Sequence, residues 1–324
     1  MYTKTQILQW LLDSDPSIRW QVMQDILHES PAKVALERAK VANEGWGAML
    51  LAKQASNGTW NPDDRFPEMH TLRTLNLLCD MGLDPSSQPA RQAITLVQQH
   101  VRWLMKIGKE ELPKEEDINW WHKPFFEGEV EPCINGRVLR VGAYFGVNMR
   151  SLVNRLLGEQ MADGGWNCEQ ETGSTRGSFH STINVLEGLL EFESATGDSS
   201  EVTAARQRGH EYLLKRQLFR SVSTGEPITD RLKDTHPWTQ FAYPAGWRYD
   251  ILRGLEYLRK ATVAPDPRLA DATGIVESKR DSTGRWTFDC MYQEEPIAEV
   301  GAEDGEPSHW ITLRAMRALE WYLD

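Results

Sequence analysis

One unit repeats along the 324 residues and restricts what the chain can fold into. An apolar-periodic run ends in glutamine, a glycine and a tryptophan follow, and a polar loop leads to a second apolar-periodic run. Gln160-Met-Ala-Asp-Gly-Gly-Trp166 is the clearest instance, with its second helix opening at Ser178-Phe-His-Ser181. Gln54-x-x-x-Gly58-x-Trp60 repeats it, and Gly284-x-Trp286 is a degraded copy with Arg280 in the glutamine position. A glycine there supplies the left-handed turn that stops a helix, and the tryptophan can fold back on the stopped end.

Read in order, the apolar spacing gives six helix pairs with little strand signal. They are 3–12 with 15–27, 41–54 with 67–81, 91–106 with 132–145, 146–160 with 180–190, 202–217 with 243–260, and 268–280 with 307–323. Asp15 reads as an N-cap with Pro16 at the first helical position, where proline is at home. Pro67, Pro132, Pro244 and Pro307 take the same place in four other second helices, and Gly177 takes it in the remaining one. The expectation is an all-α fold: one domain, 1–324, forming an (α/α)6 toroid with the second helices inside.

Composition narrows the partners. A net charge of −11 argues against nucleic acid. No apolar run approaches the roughly 20 residues of a membrane span, and the N-terminus lacks the basic start and apolar stretch of a signal peptide. Four scattered cysteines without a Cys-x-x-Cys pair point to a reduced, cytoplasmic setting. The sequence leaves the oligomeric state open.

The Gln-x-x-x-Gly-x-Trp copies resemble the repeat of the squalene/oxidosqualene cyclases and protein prenyltransferase β-subunits. That resemblance implies an α/α toroid with a central cavity for an isoprenoid-like substrate. The chain departs from both families. The Asp-x-Asp-Asp acid of the cyclases is missing, Asn61-Pro-Asp63-Asp64 being the nearest approach. The prenyltransferase zinc pattern, Asp-x-Cys with a distant His, is missing too: Asp289-Cys290 has the wrong spacing, and Glu131-Pro-Cys133 replaces the aspartate with glutamate.

Three residues beyond the first position of each second helix stand Arg19, His70, Asn135, His180, Trp247 and Trp310. In a closed ring these first turns would converge on one cavity, with Arg73, Asn184 and Asp250 about one turn on. The alternative is a structural belt of helix caps and hydrogen bonds. In the functional reading His70 and His180 move protons, Asp250 orients or accepts, and Arg19 and Arg73 hold a polar head. Asn135 would add a hydrogen bond, while Trp121, Tyr243, Trp247 and Trp310 wall the apolar part. His309, one residue out of register, ranks third among the histidines. Glu131, Cys133 and His180, with Cys168 and Glu169 in the loop between, would suit zinc, yet no pair has a local ligand spacing. The expectation is therefore no metal and no cofactor. The leading function is a cyclase-, isomerase- or hydratase-like enzyme acting on a hydrophobic small molecule. A non-catalytic binding protein and a carbohydrate-active enzyme, using Asp63 or Asp64 with Asp250, are the alternatives.

Overall fold

A computed structural model of the chain describes residues 3–104, 122–197, 200–228, 237–290, 292 and 305–323. These are mostly helical. In order they form α1 (Lys4–Leu12), α2 (Pro16–Asp25), α3 (Pro31–Ala39), α4 (Gly45–Ala52), α5 (Pro67–Met81) and α6 (Gln88–His100). Strands β1 (Arg102–Leu104) and β2 (His122–Pro124) then pair antiparallel, with Trp103 opposite Lys123. The chain continues with α7 (Pro132–Tyr144), α8 (Arg150–Gly158), α9 (Phe179–Thr196), α10 (Ser200–Lys215), α11 (Ile251–Lys260), α12 (Ala270–Ser278) and α13 (His309–Leu323). None of these helices is long and apolar enough to cross a membrane.

Two compact units result. One comprises Met1–Met49, Met81–Leu83 and Gln207–Asp324; the other comprises Leu50–Asp80 and Asp84–Arg206. In the first, α13 packs on α2, α11 and α12. Ile18, Val22, Leu255, Leu258, Ile311 and Ala315 are sealed in its core. Arg317 is buried with them, bonded to Gln21 Oε1 at 2.7 Å, to Asp25 Oδ2 at 2.9 Å and to Glu256, which offsets the cost of a charge out of water. In the second unit α7 and α9 pack together over Val138, Leu139, Ile183 and Leu186. Arg140 of α7 reaches Asp80 Oδ1 at 2.5 Å.

The repeat is a set of hydrogen bonds. A helix leaves its last carbonyls without intrahelical α-type partners, and in each copy a buried indole donates to one of them. Trp60 Nε1 donates to Leu50 O, Trp166 Nε1 to Leu156 O and Trp286 Nε1 to Val276 O, each at 2.7 Å and each ten residues back. The backbone N–H of the same tryptophan donates to a threonine hydroxyl of the next helix: Thr71, Thr182 or Thr312. Gln54 Nε2 bridges Gly58 O and Ala93 O, both at 3.0 Å, and Gln160 Nε2 bridges Gly164 O at 2.8 Å and Ala205 O at 2.9 Å. The copy at Trp286 keeps the indole and threonine bonds but, among the described residues, shows no such bridge; Arg280, in the glutamine position, lies over the Trp286 ring. Gly58, Gly164 and Gly284 all have positive φ, between 80° and 90°.

Several boundaries differ from the periodicity. The run 41–54 divides into a short turn, Lys40–Ala42, and α4, because Asp15 fixes the start of α4 through its Oδ2 and the Trp46 N–H, 2.8 Å apart. The helix expected over 91–106 ends at His100, and the chain goes on as β1. The helix expected from Tyr243 begins at Ile251. Tyr243-Pro244 is a cis peptide and Asp250 is the N-cap, its Oδ1 accepting the Arg253 N–H at 2.7 Å. Trp247 and Asp250 therefore do not share a helical face.

A buried acid, arginine and aromatic cluster

The N-terminus of α11 and one face of α13 bring together a cluster within the first unit. Trp310 and Arg314 are four residues apart on α13 and so lie on one side of it. The Trp310 indole stacks on Tyr243 at 4.3 Å, with Trp46 at 6.3 Å, and the Arg314 guanidinium lies 5.9 Å from the Tyr243 ring. Asp250, Tyr243, Trp310 and Arg314 are all buried. Burial holds the Asp250 carboxyl above the ordinary carboxylate range, against the opposing pull of the Arg314 charge, the Arg253 N–H and the Arg253 charge. The proton is thus retained more readily than on an exposed aspartate.

Two donors in this cluster are unspent among the described residues. The Trp310 Nε1–H is buried and has no acceptor among the described residues. Arg314 forms no hydrogen bond or close ion pair among them either, although it is only 8% exposed. Buried arginines elsewhere in the same unit are bonded: Arg253 donates to Gly246 O and Arg248 O, and Arg317 to its carboxylates. A buried cation and a buried indole N–H four residues apart on one helix suit an oxygen acceptor supplied from outside the chain. Asp250, Tyr243 and Trp310 are among the residues expected from the sequence, and Arg314 is not. Its available signal was an arginine one helical turn beyond Trp310.

The other expected residues lie apart from this cluster or are otherwise engaged. Trp247 carries the Arg248 guanidinium 4.8 Å over its ring. Arg19 donates to Glu37 Oε1 and to Ser14 O, both at 2.6 Å, and so ties α2 to α3. His309 stacks on Trp10 at 3.8 Å, with Arg285 4.2 Å over the Trp10 ring. Trp121 lies outside the described residues.

In the second unit His70 is half-buried with Nε2 3.3 Å from Asp64 Oδ2, and Arg73 adds its charge near the same carboxylate. Asn135 is fully buried, and its amide clamps Glu129, accepting from its N–H at 2.7 Å and donating to its carbonyl at 2.9 Å. His180 occupies the second position of α9, where its carbonyl accepts from Asn184. The tryptophan-to-threonine bonds align Thr71 with Thr182 and Thr312. By that alignment His70 corresponds to Ser181 and Ile311, and His180 to Met69 and Trp310. The two histidines are not repeat equivalents, whereas the proline register makes them so.

The structure also joins residues that the sequence keeps apart. Glu131, Cys133 and Cys168 place a carboxylate oxygen and two sulfurs within 4.8 Å of one another. Cys133 Sγ is 2.9 Å from Cys168 Sγ and 3.5 Å from Glu131 Oε2, while Cys168 Sγ is 3.2 Å from Ser181 Oγ. The contact between the two sulfurs lowers the Cys168 thiol and raises that of the buried Cys133. His180 is not one of this group.

No family model matches the chain, and no curated protein matches it. Among solved structures, a protein from Actinoplanes is similar over 99% of this chain and 100% of its own length, at 14% identity and a TM-score of 0.44.

Proposed function

We propose that the chain is an enzyme that transfers a proton to or from carbon in a hydrophobic, isoprenoid-like small molecule carrying a carbonyl or carboxylate oxygen. The observation behind this reading is a pair of buried donors without an acceptor among the described residues, Arg314 and Trp310 Nε1, in the same cluster as the buried acid Asp250. Arg314 and Trp310 hold the substrate oxygen, and Asp250 delivers or accepts the proton at the neighbouring carbon. The faces of Tyr243 and Trp46 enclose the apolar part. Negative charge developing on the held oxygen is offset by the guanidinium. Isomerase- or hydratase-like chemistry suits this arrangement better than cyclisation through a carbocation, because a fixed arginine disfavours a cationic intermediate. The repeats support an (α/α)6 toroid as the wider fold, and the cysteine spacing in the sequence supports a cytoplasmic setting.

A second reading, a carrier without turnover, draws support from the structural task of Asp250 as a helix cap. One experiment separates the two. Tryptophan quenching compares a sesquiterpenoid carboxylate with the alcohol of the same skeleton, and deuterium uptake from heavy water reports proton exchange at the carbon next to the carboxylate. Enzyme and carrier alike bind the carboxylate at least about tenfold more tightly, and Arg314→Met abolishes that preference. Only the enzyme exchanges deuterium, and Asp250→Asn stops it. Equal affinity for acid and alcohol, or a preference unchanged by Arg314→Met, would sink both.

A further inference from the structure

We propose that Cys133 and Cys168 form a reactive dithiol that a peroxide closes into an intramolecular disulfide. This site is separate from the acid and arginine cluster and does not depend on it.

The two sulfurs stand 2.9 Å apart. Two thiolates each about 2.3 Å from one tetrahedral zinc ion would lie about 3.8 Å apart, so the observed spacing falls between a shared metal and the ~2.05 Å of a sulfur–sulfur bond. Bond formation therefore needs only a small movement. Cys133 is sealed at the start of α7, whereas Cys168 is partly exposed in the loop just after Trp166. The exposed partner is the one an incoming reagent meets. Ser181 Oγ, 3.2 Å from the Cys168 sulfur, can donate to its thiolate, and the Cys168 N–H is itself engaged by Ser181 Oγ at 3.3 Å, which holds the residue in place. Glu131 Oε2, 3.5 Å from Cys133 Sγ, can take the Cys133 proton.

The steps balance. The Cys168 thiolate attacks one oxygen of hydrogen peroxide, and the O–O bond breaks. Cys168 becomes a sulfenic acid, and the other oxygen leaves as hydroxide, which is protonated to water. Cys133 gives its proton to Glu131, and its sulfur attacks the Cys168 sulfur. The hydroxyl leaves and takes up that proton as the second water. Two thiols lose two electrons in all, and the peroxide gains them. The new bond ties the loop after Trp166 to the first turn of α7 and closes a span of 35 residues.

The full chain, reduced and then exposed to stoichiometric hydrogen peroxide, is the test. Its intact mass should fall by two hydrogens, and proteolytic mapping should find Cys133 joined to Cys168 while the buried Cys79 and Cys290 stay reduced. The oxidised form should melt roughly 5 °C or more above the reduced form. In Cys133→Ser the reaction should stop at a sulfenic acid on Cys168 that dimedone captures; in Cys168→Ser, Cys133 should stay a thiol. If Cys133→Ser fails to fold, dimedone present during oxidation of the unmodified chain should divert Cys168, and only Cys168, to the captured form. Oxidation reaching Cys79 or Cys290 first would overturn the proposal. So would a stoichiometric zinc ion in the isolated protein that is lost in Cys168→Ser.

Discussion

Gly188 of α9 lies directly against the backbone of Gly136 in α7. A Cβ on Gly188 would stand 2.3 Å from the Gly136 carbonyl oxygen, and one on Gly136 would stand 2.4 Å from the Asn184 carbonyl oxygen. Backbone, not a yielding side chain, fills the space, so the two helices touch with no room for a methyl group. Gly188→Ala should cost about 3 kcal/mol or more in urea unfolding. Gly274→Ala in α12, where nothing lies within 4 Å of the added carbon, should gain about 0.5–1 kcal/mol. Equal effects at the two positions would refute the close approach.

The glutamine bridge is testable against the copy that lacks it. Gln160→Ala or Gln54→Ala removes the donor shared by two carbonyls and should lower stability by about 1–3 kcal/mol. Arg280→Ala, at the matching place, should change it by less than about 0.5 kcal/mol, since its ion pair with Glu277 is exposed. Urea titrations of the three variants decide it.

What the sequence disclosed follows from how local each signal is. Gln160, Gly164 and Trp166 mark one helix end by bonds near it in sequence, although Gln160 also reaches Ala205, so the repeat and the helical class are readable from spacing alone. Pro244 misled because proline before a helix and proline in a loop look alike; the true start was marked by Asp250, a capping aspartate three residues before the N–H it accepts. Position relative to proline also paired His70 with His180, whereas the structure aligns the copies by threonine. Cys133 and Cys168 meet only because α7 and α9 pack together, and nothing within either segment announces the other. Arg314 does not stand out in the sequence because an arginine on a helix is ordinarily a solvated or paired one; its burial without a hydrogen bond among the described residues exists only in three dimensions.

His309 carries a pH signature. Burial first, then the Arg285 charge, pushes its imidazole down to about 4. The unfolded chain therefore binds more protons between about 4 and 6.5, and the stability held by neutral His309 is lost as pH falls through that window. Allowing for partial exposure, the loss is of order 1–3 kcal/mol. His309→Phe keeps the stack on Trp10 and should flatten unfolding free energy over this range. An unchanged pH profile would show that the ring is solvated.

Asp250 should show the opposite sign. Its carboxyl is raised by burial, so ionisation weighs on the folded state more than on the unfolded one. Its contribution is fully present below the unfolded value and is lost as pH rises through the folded one. Asparagine retains an oxygen for the Arg253 N–H and removes the charge. The melting temperature of Asp250→Asn relative to the unmodified chain should therefore rise from pH 4 to pH 7. A difference that falls with pH would mean that the carboxylate is stabilised where it stands, and that Arg314 is its true partner.

The tryptophan ties impose an asymmetry on how this chain can lengthen. From indole to anchored carbonyl the span is ten residues in all three copies, whereas from the same tryptophan to its threonine it is 11, 16 and 26. One inserted residue on the first side would carry the indole past its acceptor, while the second side already accommodates a difference of fifteen. New sequence, whether acquired by descent or grafted by an engineer, has its natural port of entry immediately after each tryptophan.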